Sequence, residues 1–232
     1  MVVVLLLACN AGDSSAPEPE DTAEGVPRGA LQFRFPLLER ELFDQTVGVD
    51  HDPADYSGQG WDKELICTNY DGRNFPWCYD GHKGSDVLLV GGFDTMDAGS
   101  ATILAACPGT VVETHDGEYD RCHATSDGVD CDGNSGEANY VIVEHVGGWR
   151  TKYWHMKNGS VAVAVGDPVE CETPLGKVGS SGNSSGPHLH FQLEDAEGTV
   201  IDPFAGSESQ PETWWVEQGD PEGLPGSTCA GG

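Results

Sequence analysis

The chain has 232 residues, with 39 acidic side chains against 11 basic ones and a net charge of −28. That length suits one domain of ordinary size with tails, and a chain this acidic cannot assemble the basic face that nucleic acid requires. No run of about 20 apolar residues occurs, so no transmembrane helix is expected.

In chain order, Met1 is followed by an apolar run from Val2 to Ala8 and then Cys9. Residues 1–8 read as a short export signal, and Leu6-Leu7-Ala8-Cys9 resembles the lipobox of bacterial lipoproteins, although no basic stretch precedes it. That resemblance implies cleavage before Cys9, a lipid on its sulfur and anchoring to a bilayer of the bacterial envelope, in the periplasm or at the outer membrane. Residues 9–30 are acidic and poor in large apolar side chains, so they read as a disordered tether extended by its own charge. Residues 31–80, with Trp61, Trp77 and Tyr79, are expected to pack as an extension on the main domain, 81–206. The tail, 207–232, is acidic and Gly/Pro-rich, and Trp214-Trp215 is expected to fold back onto that domain.

Between these ends the apolar residues come in short β-branched bursts. They include Val87-Leu-Leu-Val90, Thr110-Val-Val-Glu113, Tyr140-Val-Ile-Val-Glu144, Val161-Ala-Val-Ala-Val165 and Leu189-His-Phe-Gln-Leu193. Turn residues such as Gly91-Gly92, Pro108-Gly109 and Gly147-Gly148 bound them. This rhythm predicts a mainly β, antiparallel domain with few or no helices. The Val161–Val165 run alternates Val with Ala and is expected to be buried on both faces. The polar stretch 117–137 predicts a long loop, and its Asp127, Asp130, Asp132, Asn134 and Glu137 lack the full spacing of a calcium-binding loop.

Eight cysteines agree with an exported, oxidised chain. Setting Cys9 aside for lipid leaves an odd number, hence three bridges and one leftover thiol. Cys67 with Cys78 and Cys122 with Cys131 would each close a short loop; Cys107 with Cys171 is the third expected pair, leaving Cys229 free.

Three clusters carry chemistry. His82 and Asp86 stand four residues apart around Gly84, which lets the backbone bend so that both converge. His188 and His190 flank Leu189, so in a strand both imidazoles face one side while Leu189 and Phe191 face the core. His155 follows Tyr153-Trp154 in an aromatic strand, whereas His145 reads as a structural histidine. Two His and one Asp suit Zn²⁺ and leave a fourth position open for water, which the metal would activate as a nucleophile. Two more histidines could move the proton and stabilise the oxyanion.

The order HxxxD, then Tyr-x-His, then Ser184-Ser-Gly-Pro-His-Leu-His-Phe191 resembles the lysostaphin/LytM-type zinc metallopeptidases, which cut peptide cross-links of peptidoglycan. By that resemblance His82, Asp86 and His190 would hold the zinc, and His155 with His188 would be the catalytic pair. It also implies a groove over the metal and a peptidoglycan peptide as substrate; separately, the chain is expected to be a monomer. The alternative from another class is a non-catalytic envelope scaffold that activates other wall hydrolases.

Overall fold

The computed structural model describes residues 31–54 and 66–230. Cys9, the expected signal and tether, and Trp61 lie outside them. In chain order the strands are β1 (Phe43–Val47), β2 (Ser85–Leu89), β3 (Thr102–Leu104), β4 (Gly109–His115), β5 (His123–Thr125) and β6 (Gly128–Asp130). They continue with β7 (Tyr140–Glu144), β8 (Arg150–Trp154), β9 (Pro168–Val169), β10 (Pro174–Lys177), β11 (His188–Glu194) and β12 (Val200–Ile201). One short helix, α1 (Gly92–Ala98), follows β2; Gly91 and Gly99 cap it in the left-handed conformation that glycine adopts without steric cost.

The main sheet runs β1-β2-β11-β8-β7-β4-β9, with β12 pairing β11, and all its pairings are antiparallel. The mainly antiparallel β domain read from the sequence is therefore what forms. β11 lies inside the sheet between β2 and β8, and this placement decides the site. Its odd-numbered residues Leu189, Phe191 and Leu193 are fully buried in the core, together with Val87, Tyr153, Val141 and Val143 from neighbouring strands. Its even-numbered residues His188, His190, Gln192 and Glu194 occupy the other face and are buried too. A face that is both polar and buried must satisfy its polar atoms internally.

The extension beyond the sheet is part of the core. Leu31, Phe33, Phe35 and Leu37 are essentially inaccessible, and Phe33 meets the Phe191 ring edge-on at 6.5 Å. The tail folds back as its tryptophans predict: Trp215 lies 5.4 Å from Phe191 between ring centroids, and Trp214 lies 4.4 Å from Trp149.

Several expectations are corrected. Cys67–Cys78 and Cys122–Cys131 are bridged as expected, but Cys171 pairs with Cys229, not with Cys107. Cys107 is disulfide-bonded as well, to a partner outside the described residues, and no described cysteine is free. The error has a plain cause: the tail returns across the domain, a long-range contact that loop length cannot reveal. Residues 161–165 form no strand and Val165 is 61% exposed. Val161 and Val163 pack against the edge of the core, while Ala162, Ala164 and Val165 face outward, so only one side of the run is covered. The loop 117–137 contains the β5–β6 hairpin, paired from His123↔Asp130 to Thr125↔Gly128.

Candidate metal centre

The register of three strands builds the site. Asp86 of β2 lies directly opposite His190 of β11, and His190 lies directly opposite Trp154 of β8. Cross-strand partners on one face sit about 5 Å apart, so the carboxylate and the imidazole meet at once: His190 Nδ1 is 2.8 Å from Asp86 Oδ1. His82 comes from outside the strand. It ends a turn whose N–H bonds Tyr79 O, and its Nδ1 lies 2.7 Å from Gly48 O. Its Nε2 then points to the same spot, 3.1 Å from Asp86 Oδ1 and 3.2 Å from His190 Nδ1. The bend around Gly84, rather than a straight extended segment, brings His82 and Asp86 together.

His190 is wedged in place. Trp154 stacks on one side of it, with ring centroids 5.6 Å apart and planes 20° apart. At Gly84 a β-carbon would come within 2.6 Å of His190 Cε1 and Nε2, so only glycine fits against the ring.

His155 arrives by a backbone twist. Strict alternation along β8 would place it with Tyr153 in the core, but His155 has φ 63°, a left-handed conformation rare for a residue with a β-carbon. The strand ends there and the imidazole swings to the site face. It lies 4.5 Å from His188 and 5.9 Å from His190 between ring centroids. Such strain persists where surrounding structure imposes it; here His155 Nδ1 bonds Ser181 O at 2.7 Å. His188 is held similarly, with Nδ1 2.8 Å from Gly186 O. Both histidines therefore spend Nδ1–H on the loop before β11 and leave Nε2 for the site. That loop is itself fastened to the β5–β6 hairpin, because Cys122 N bonds Ser180 O at 2.9 Å and Ala124 N bonds Ser185 O at 2.9 Å.

The charges separate. Burial opposes ionisation of Asp86, but His82 and His188 outweigh it and hold the carboxyl well below its usual range. Burial also opposes a proton on His188, yet the Asp86 charge and hydrogen bond raise its pKa overall. His155 is pushed down to about 3, first by burial and then by His188 and His190. Two neighbouring imidazoles thus differ in proton affinity, one poised to hold a proton and one kept neutral.

The donor set fits a divalent ion. His82 Nδ1 donates to a backbone carbonyl, so its Nε2 lone pair faces Asp86 Oδ1 and His190 Nδ1, and the three atoms stand about 3 Å from one another. Bonds of about 2.0–2.1 Å in a tetrahedron require ligand separations of roughly 3.4 Å, close to these values. Without a cation the same atoms are close enough to share protons in hydrogen bonds, which an ion would replace. His115, Glu118 and Glu137 also bring ligand atoms within 4.8 Å, but at the surface. His145 stands apart: it is buried with Nδ1 2.8 Å from Pro108 O and Nε2 2.8 Å from Thr151 Oγ1. Next to this candidate site, a cavity of about 330 Å³ is lined by His115, Glu137, Ala138, Tyr140 and Trp154.

Residues 89–203 match the sequence profile described as Peptidase family M23. The chain carries a peptidase family M23 domain. The match starts just after His82 and Asp86, the two residues that β2 and the turn before it bring to His190. Among curated relatives, Protease LasA of Pseudomonas aeruginosa (strain UCBPP-PA14) is 41% identical over 61 residues, 23% of this chain and 14% of that protein. Peptidoglycan DD-endopeptidase ShyA of Vibrio cholerae is 34% identical over 55 residues, 24% of this chain and 12% of that protein. The M23 chain therefore spans less than a sixth of the length of either. A solved zinc-containing peptidase from Vibrio cholerae is similar with a TM-score of 0.46 and 17% identity, over 74% of this chain and 39% of that one.

Sequence reasoning missed the residues behind the ligands. Gln192 Oε1 lies 3.2 Å from His190 Nε2, and Gln192 Nε2 donates to Glu194 Oε1 at 2.6 Å. The signal was present: 188, 190, 192 and 194 share one strand face, and all four are polar.

Proposed function

We propose that this protein is a zinc metalloendopeptidase that hydrolyses peptide cross-links of bacterial peptidoglycan. The observation that carries this reading is the meeting of five side chains at one buried point. Three of them face one another as ligands, and two present an imidazole Nε2 beside them. A scaffold would gain nothing from gathering this buried ligand set or from twisting His155 into a left-handed backbone.

Zinc, when bound by His82, Asp86 and His190, supplies a Lewis acid that polarises a carbonyl and makes water ionisable near neutral pH. The chain does the rest. His155, kept neutral, takes the proton from the attacking water at Nε2. His188, whose proton affinity Asp86 raises, hydrogen-bonds the oxygen that gains negative charge, and the proton taken up by His155 passes to the departing amine. The cavity beside Trp154 accommodates the next part of the peptide, with the Glu137 carboxylate and the Tyr140 and Trp154 rings for an amine-bearing side chain.

The relatives named as a protease and a peptidoglycan endopeptidase support the substrate class, and the disulfides support export to an oxidising compartment. We retain the monomer as part of this reading. Anchoring through Cys9 stands apart from the enzyme reading. It rests on the lipobox-like Leu6-Leu7-Ala8-Cys9, and mass spectrometry of the mature N-terminal peptide tests it.

The test of function is incubation of purified protein with sacculi, followed by mass spectrometry of the released muropeptides. New peptide ends that disappear on chelation and return with Zn²⁺ are expected. One bound zinc with no new ends from any wall preparation would put the protein in the scaffold class.

A further inference from the structure

A metal-binding imidazole must offer a lone pair, and which nitrogen offers it depends on where the other nitrogen's proton goes. His190 has Asp86 Oδ1 at its Nδ1 and Gln192 Oε1 at its Nε2. An amide can accept through oxygen or donate through nitrogen, so Gln192 alone would leave the choice open. Glu194 closes it. Its carboxylate only accepts, and it takes the Gln192 Nε2–H at 2.6 Å. Lys152 Nζ, 2.7 Å from Glu194 Oε1, keeps a positive charge against that carboxylate. The amide is thereby oriented with its oxygen toward His190 Nε2, ready to accept that nitrogen's proton, so that Nδ1 offers its lone pair when an ion takes the place of the Asp86 hydrogen bond.

The row is built for this. Gln192 and Glu194 are 5% and 8% exposed, on the same strand face as His188 and His190. Gln192 is registered directly opposite Lys152 on β8. Nothing in the proposed chemistry requires a Lys–Glu–Gln row in this place, and burying it carries a desolvation cost.

We infer that Gln192 is a positioning residue for the metal: oriented by Glu194 and Lys152, it fixes His190 in the Nε2–H tautomer that presents Nδ1 to the ion. This inference rests on the metal reading above but adds a relay of three residues to it. Outer-shell partners of this kind typically contribute 10–100-fold in metal affinity.

The experiment uses the full chain, stripped of metal and titrated with Zn²⁺ against a chromophoric chelator. Q192L, which keeps the volume and removes the acceptor, should weaken zinc binding roughly 10–100-fold while the metal-free protein unfolds near the wild-type temperature. The swap Q192E/E194Q again puts an acceptor beside His190 and an amide donor beyond it, and should recover most of the loss. Wild-type zinc affinity in Q192L, or a swap as weak as Q192L in a folded protein, would overturn the inference. A wild-type chain that binds no zinc would instead overturn the metal reading itself, an outcome distinct from these.

Discussion

Replacing Gly84 by alanine is the sharpest test of how the centre is held. The added carbon would stand 2.6 Å from two atoms of the His190 ring and 2.8 Å from Phe191 O. Ordinary contact begins near 3.4 Å, so the neighbours must yield by about 0.8 Å. The carbonyl belongs to an interior strand paired on both sides and cannot retreat. The imidazole is backed by Trp154, so it must tilt within the site. Metal–ligand distances tolerate only about 0.2 Å, so a shift of this size removes His190 from the ligand set. G84A should therefore lose zinc affinity by at least roughly tenfold, and overpacking should cost the metal-free fold about 1–3 kcal/mol. Chelator competition measures the first effect and urea unfolding the second. A G84A protein with wild-type zinc affinity would refute the claim that this glycine seats the ligand.

His155→Ala and His188→Ala should each retain zinc yet lower turnover on the order of 10²–10⁴-fold, read from zinc content and muropeptide release; an unchanged rate in either would remove that residue from the chemistry. Serine at both Cys122 and Cys131 frees the hairpin that holds the loop orienting those two histidines. Turnover should fall more than zinc affinity, and equal losses in both would contradict this coupling. Stability should also fall in acid through His145, whose pKa burial lowers to about 4. Its unfolded pKa is near 6.5, so the unfolded chain binds more protons between these values. Its contribution is complete above about pH 6.5 and lost as pH drops through 4, amounting to about 3 kcal/mol. Urea midpoints across this range should be flatter for His145→Gln than for the wild type.

Much of this was legible in the sequence because it is local. Alternation in Leu189–Leu193 separates core from site, and the Gly-bounded bursts give the strands of the main sheet. The five residues expected at the centre do meet there. The route by which His155 reaches it was not legible, since alternation predicts the opposite face and only a left-handed backbone reverses it. Residues 161–165 misled because β-branched composition does not reveal whether a neighbouring strand exists. Cys171–Cys229 was misassigned because that pairing depends on the path of the tail, a matter of tertiary packing.

The long-range contacts also set where this protein can be cut. A fragment trimmed to residues 89–203 would discard His82 and Asp86, and with them two of the three expected ligands. It would also remove Phe33 and Trp215, which pack on the Phe191 ring, and Cys229, the partner of Cys171. Homology marks what is shared with relatives, whereas the smallest piece able to fold is larger. For expression and truncation work the unit to preserve runs from the Leu31 segment to beyond Cys229.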